Sequence, residues 1–175
     1  MPTPTVHAPT PTSTNPRMVD DFSDPSRYSS EENALGYYTG DDDTVTQKTT
    51  VQGDWILLTF DTSSYWYSTL GAPNTCNDYS QFTKVNFAVR YPTSTITGFN
   101  IVLQTTNNST CTGLNQYPVD VTSLITAATA GNDGWLHIEV RLTQFTGADL
   151  TRMRAITLSG FKSAGQVEID YIYFS

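Results

Sequence analysis

The sequence predicts an all-β fold, a two-sheet antiparallel β-sandwich of the jelly-roll kind, and three observations carry that prediction. Apolar and polar residues alternate over short runs, polar turns separate the runs, and no long stretch repeats at a helical period. Met18 to Phe22 opens as a strand, and Thr44 to Val51, after the acidic turn Gly40-Asp41-Asp42-Asp43, reads as a Thr-rich, edge-like strand. Trp55 to Phe60 and Tyr65 to Leu70 follow, joined across Asp61-Thr62-Ser63-Ser64. In Lys84 to Tyr91, Val85, Phe87 and Val89 share one face while Lys84, Asn86, Ala88 and Arg90 share the other, the pattern of a half-buried strand. Gly98 to Thr105 repeats it, with Phe99, Ile101 and Leu103 inward and Asn100 and Gln104 outward. Trp135 to Leu142 shows it most clearly: Leu136, Ile138, Val140 and Leu142 alternate with Trp135, His137, Glu139 and Arg141. Arg154 to Phe161 and Gln166 to Phe174 close the chain, and the apolar last strand is expected to be central, beside the first. Asp120 to Thr129 and Gly147 to Met153 read as single helical turns.

Composition narrows the function classes. The 175 residues include 9 basic and 17 acidic side chains, a net charge of −8. That balance repels polyphosphate and anionic lipid, so neither nucleic acid nor a membrane is an expected partner. Charged residues are only 15% of the chain, which leaves a surface of uncharged polar groups suited to sugar hydroxyls. Aromatic residues are 12%, too many for a disordered chain. No apolar run reaches the roughly 18–20 residues that span a bilayer.

Residues 1–16, rich in Pro and Thr, read as a semi-rigid linker to a catalytic domain upstream, and 17–175 as one domain, expected to be monomeric. The start lacks the basic and apolar regions of a signal peptide, yet Cys76 and Cys111 form an even pair, and Asn107 and Asn108 open two overlapping glycosylation frames. A segment of a secreted, extracellular protein beginning at an added Met1 reconciles these signs; two unpaired buried thiols are the alternative for the cysteines.

Several segments carry a resemblance. Val19-Asp20-Asp21-Phe22, Asn33-Ala34-Leu35-Gly36 and Gly40-Asp41-Asp42-Asp43-Thr44 form its first half. The strand from Trp135 to Leu142 leading to Phe145, and the closing Val167-Glu168-Ile169-Asp170-Tyr171-Ile172-Tyr173-Phe174, form its second. Together they resemble the galactose-binding-like jelly rolls of non-catalytic carbohydrate-binding modules in secreted glycan-active enzymes. The likeness covers Met18 to Ser175 and is specific for the fold and weak for the sugar. With the Pro/Thr linker it implies a fungal module that targets an attached enzyme to a polysaccharide: β-glucan, chitin or a plant cell-wall glycan. Similar modules often hold a structural Ca2+ between acids of the first region and an Asp of the last strand, so the resemblance implies Asp21 and Asp170 as ligands. No Asp-x-Asp-x-Asp-Gly loop is present, and turn acids at the surface are the alternative.

Two carbohydrate-binding sites suggest themselves. Alternation places Trp135, His137, Glu139 and Arg141 on one outward face, with a ring for the C–H face of a pyranose and polar groups for its hydroxyls. Neighbouring strands are expected to add Asn86, Arg90, Asn100 and Gln104 to that face; a solvated face with Trp135 under a loop is the alternative. The second site is the loop aromatics Tyr37-Tyr38, Tyr65-Trp66-Tyr67, Tyr79 and Tyr117, of which Tyr37 and Trp66 are the leading candidates. Alternation forces either Trp66 or its two Tyr neighbours inward. A structural or protein-interaction domain is the competing class.

Catalysis is disfavoured. His7 lies in the linker and His137 is the domain's one histidine, so no multi-His metal site exists, and the Gly-x-Ser-x-Gly elbow and phosphate-binding loops are absent. Glu139 with an Asp is the one conceivable glycosidase or lyase pair.

Overall fold

The computed structural model describes residues 16–45, 47–51 (backbone only), 55–93 and 96–175. Apart from Pro16, the expected linker lies outside the described residues. In chain order the strands are β1 (Arg17–Asp20), β2 (Thr39–Gly40), β3 (Gln47–Val51), β4 (Ile56–Phe60), β5 (Trp66–Thr69) and β6 (Lys84–Arg90). They continue as β7 (Asn100–Thr105), β8 (Asn115–Asp120), β9 (Leu136–Arg141), β10 (Met153–Ser159) and β11 (Gly165–Phe174). Two short helices, α1 (Pro25–Ser29) and α2 (Thr122–Ala127), and 3-10 turns at Leu142–Gln144 and Leu150–Arg152 join them.

The strands form two antiparallel sheets. The first runs β3-β4-β11-β6-β9 with β1 also on β11, and the second runs β2-β5-β10-β7-β8. The long β11 organises the first sheet. One edge is divided between β4, which pairs Gly165 to Ile169, and β1, which pairs Ile172 to Phe174; β6 takes the other edge. The last strand is therefore central and beside the first, as expected. A register shift between Asp170 and Ile172 interrupts its alternation. Val167 and Ile169 point into the core before the shift, Ile172 and Phe174 after it, and Tyr171 is thrown onto the opposite face.

Alternate side chains of both sheets meet in one core that includes Ile56, Leu58, Phe60, Trp66, Phe87, Phe99, Ile101, Leu103, Ile156 and Leu158. Each such side chain contributes roughly 1.5–3 kcal/mol of burial. Two strands and one helix escape the periodicity reading. β2 is too short to show a period. β8 reads Asn-Gln-Tyr-Pro-Val-Asp, polar and broken by Pro118; it is an edge strand paired only to β7, where a missing N–H is tolerated. Tyr117 accordingly lies on a strand, packed against the core, and not on a loop tip. α1 depends on its cap, Asp24 accepting from the backbone N–H of Ser26 and Arg27 with Pro25 in the first turn.

Candidate functional site

The outer face of the first sheet carries most of the residues expected to bind sugar. β6 and β9 are neighbours, with Asn86 opposite Glu139 and Ala88 opposite His137, so Asn86, Arg90, Trp135, His137, Glu139 and Arg141 do share that side. That side is closed at its aromatic end, while His137, Glu139 and Arg141 stay exposed. Trp135 is 0% exposed, packed edge-on to Trp55 at 6.0 Å with Ala88 and Tyr171 in a second small core. The Arg90 guanidinium lies over both rings, 4.4 Å from Trp135 and 5.0 Å from Trp55, and pairs with Glu168 at 2.5 Å. Trp55 Nε1 donates to the same carboxylate at 3.2 Å. The cation is thus held by two ring faces and one acid, which compensates its removal from water. His137 bonds Tyr171 through Nδ1 at 2.6 Å and Asp133 through Nε2 at 2.9 Å. Glu139 pairs with Lys84 at 2.6 Å, and Asn86 donates to Ser175 Oγ at 2.9 Å. Arg141 is exposed at the end of β9, its backbone N–H donating to Gln144. Trp135 therefore offers no ring face to a ligand, contrary to the expectation from alternation. Period-two alternation separates the two sides of a strand, yet says nothing of whether other side chains cover the outer one.

Asn100 and Gln104 are not on that face. β7 belongs to the second sheet, between β10 and β8, so the two amides stand on the opposite side of the molecule from Trp135. A row crosses the outer face there: Tyr67 on β5, Thr157 on β10, Val102 on β7 and Pro118 on β8. On one side run Ala155, Gln104 and Gln116, and on the other Ser159, Asn100 and Asp120. The middle of the face is a floor of small side chains that point outward yet are as buried as core, Ala155 at 2%, Val102 at 3% and Thr157 at 6% exposed. In register around them stand the longer Tyr67, Gln104 and Asn100, so we read the face as a trough with the three small side chains on its floor. At strand spacing the row from Tyr67 to Pro118 spans roughly 14 Å. Among the described residues the Thr157 hydroxyl on its floor has no hydrogen-bond partner. Facing outward, this hydroxyl is free to bond water or a ligand hydroxyl.

The trough begins in aromatic rings. Trp66 is 0% exposed in the core, edge-on to Phe22 at 5.9 Å, and alternation then turns Tyr67 outward. Trp66 is thus a core residue and no binding platform. Tyr67 sits 5.2 Å from the Tyr38 ring and 6.2 Å from that of Tyr65. Both flanking phenols donate to Asp42, Tyr38 to Oδ1 and Tyr65 to Oδ2, each at 2.9 Å. Tyr37 stands apart, its backbone N–H bonded to the buried Asn33. Tyr79, also weighed as a loop aromatic, is buried against Phe82 and Phe174. At the far end Asp120 accepts from Thr122 and pairs with Lys162 at 3.0 Å; these contacts hold its carboxyl down to about 2. One flat ring, amides on both flanks and one unpartnered hydroxyl can stack on a sugar ring and bond its hydroxyls.

Solved structures resemble the whole assembly. A family 11 carbohydrate-binding module from Clostridium thermocellum, solved with a β-1,3-1,4-mixed-linked tetrasaccharide, aligns with 93% of this chain and 96% of its own at 17% identity and TM-score 0.54. A family 30 module of a cellulosomal cellulase from the same organism aligns over 78% and 81% at 15% and 0.52. A mutant family 29 module aligns over 93% and 92% at 9% and 0.53. The chain has their jelly-roll fold. No family model and no curated protein matches the sequence.

The expected metal ligands are engaged locally: Asp21 accepts from the backbone and hydroxyl of Ser23, and Asp170 from the N–H of Tyr171 at 2.6 Å. Among the described residues no group of three or more His, Cys, Asp or Glu is gathered that could hold a metal, so these two carboxylates do not by themselves form the oxygen cage Ca2+ requires. Cys76 and Cys111 form a disulfide. Asn107 is exposed, whereas the Asn108 amide donates to the Thr112 carbonyl and accepts from its N–H. Sequence reasoning missed Thr157, Gln116, Asp120 and Asp42 as site residues and put Trp66 ahead of Tyr67. The signal for Tyr67 was present: burying the one Trp of Tyr65-Trp66-Tyr67 exposes both Tyr.

Proposed function

We propose that this protein is a non-catalytic carbohydrate-binding module that holds an attached enzyme on a neutral polysaccharide of the β-glucan, chitin or plant cell-wall class. The trough across the second sheet carries this reading. It joins an aromatic platform to uncharged amides over a length that takes more than one sugar ring, and its floor holds a hydroxyl lacking a partner among the described residues. The fold shared with modules solved for glycan recognition supports it, as does the scarcity of charge. In this reading residues 1–16 tether the module to a catalytic domain of a secreted fungal enzyme, and it acts as a monomer. Its mechanism is targeting: tethering raises the enzyme's concentration at the polymer, so modest affinity suffices. Glu139, a candidate acid for catalysis, is paired with Lys84 of the neighbouring strand on the first sheet, away from the trough.

The test is retention on insoluble chitin, cellulose, β-1,3-glucan and xylan, with an assay for released sugar. The expected result is retention on at least one polymer without sugar release, weakened about tenfold, or ~1.4 kcal/mol, by Tyr67→Ala. Asp170 lies on β11 of the first sheet and Asp21 just after β1 of the same sheet, so chelator should leave retention unchanged. Retention on none of the four would turn the reading toward a protein-interaction domain, and sugar release would overturn the non-catalytic claim.

A further inference from the structure

The turn that closes the aromatic end of the trough is built in an unusual way. Thr44 N–H donates to the Asp41 carbonyl at 2.8 Å, and the two residues between, Asp42 and Asp43, both have positive φ, 47° and 58°. Two successive left-handed residues are the signature of a type I′ turn, where Gly, Asn and Asp are the favoured residues. The backbone thus accommodates Asp42 but does not single out an acid over Gly or Asn. What distinguishes the acid is its carboxylate, since one oxygen takes the phenol of Tyr38 and the other that of Tyr65, and the ring of Tyr67 lies beside both. Gly40 completes the arrangement: a Cβ there would stand 2.8 Å from the Tyr38 phenol oxygen, so the glycine lets that ring lie across β2. The same contacts keep the phenols protonated as donors. Hydrogen bonding to Asp42 pushes Tyr65 up, and burial, aided by the bond to Asp42, pushes Tyr38 up.

We propose that Asp42 is a positioning residue which clamps Tyr38 and Tyr65 so that the Tyr67 platform is preorganised before a glycan arrives. The proposal rests on reading the trough as a glycan site. Free tyrosine rings lose rotational freedom on binding, and a platform already fixed avoids that cost.

The test uses Asp42→Gly, which removes the carboxylate and suits the left-handed backbone, in native gels containing hydroxyethyl cellulose, mixed-linkage β-glucan, soluble β-1,3-glucan or xylan. On whichever polymer retards the unsubstituted protein, Asp42→Gly should weaken binding about 3- to 10-fold. Its melting temperature should hold, and its near-ultraviolet tyrosine circular dichroism should change. Tyr38→Phe and Tyr65→Phe should each weaken binding alone and add nothing in the Asp42→Gly background, because the clamp is already open. If Asp42→Gly binds like the unsubstituted protein while Tyr67→Ala does not bind, the clamp is wrong and the trough stands. If neither substitution weakens binding, or no polymer retards the unsubstituted protein, the trough reading falls and takes the clamp with it. A lowered melting temperature in Asp42→Gly would make the residue merely structural and sink the proposal.

Discussion

Trp66 and Tyr67 are adjacent in the chain and take opposite parts, one closing the core against Phe22 and the other standing on the outer face of the second sheet. The larger, more apolar ring goes in, where it gains most from burial, although its Nε1 has no partner among the described residues. Trp135 shows the same preference on the other sheet, where an outward position becomes a second core under Arg90. Trp135→Ala should therefore cost about 3–5 kcal/mol of stability while leaving retention of the folded protein on polymer unchanged. Chemical denaturation with retention measured on the same sample checks this. Lost retention at full folding would return the binding role to the first sheet.

At the scale of elements, edges and irregularities decide what faces the solvent. β8 supplies the far wall of the trough even though Pro118 interrupts it, because an edge strand needs only one partner. It leads directly into α2, and Asp120 makes the joint by accepting from the N–H and hydroxyl of Thr122. The joint is close: a Cβ on Gly98, just before β7, would lie 1.8 Å from the Thr122 hydroxyl oxygen. The Thr122 hydroxyl bond, then the Thr122 N–H and Lys162, lower the Asp120 carboxyl from 3.8 to about 2. An acid with a lowered folded value stabilises the fold above its unfolded value and loses that contribution as pH falls. Stability from this joint should thus be complete above about pH 4 and fade toward pH 2. Asp120→Asn should flatten that part of a pH–melting curve relative to the unsubstituted protein, and identical acid slopes would show the joint to be inert.

For the whole molecule, the disulfide ties the segment before β6 to the connection between β7 and β8, across 35 residues. Closing a loop of that length stabilises by about 3–4 kcal/mol in the chain-entropy account. A Cys76→Ser, Cys111→Ser double variant should lose that much in denaturant titration, and a loss under about 1 kcal/mol would contradict the account.

Most of the strands, their inward residues and the central last strand were legible in the sequence, because alternation is local and every strand with one buried face must display it. Legible too were the sandwich and the pairing of the two cysteines. The site was only half legible. Asn100 and Gln104 read correctly as outward, but they were grouped with Trp135, His137, Glu139 and Arg141, which lie on the other sheet. Alternation tells which side of its own strand a residue takes, while the identity of the neighbouring strand depends on pairings between residues tens of positions apart. Those pairings placed Tyr67, Thr157, Val102 and Pro118 in one row, and packing between distant side chains buried the Trp135 ring of the other outer face under Arg90. Which face is open is a property of the assembled sheets, and no local pattern encodes it.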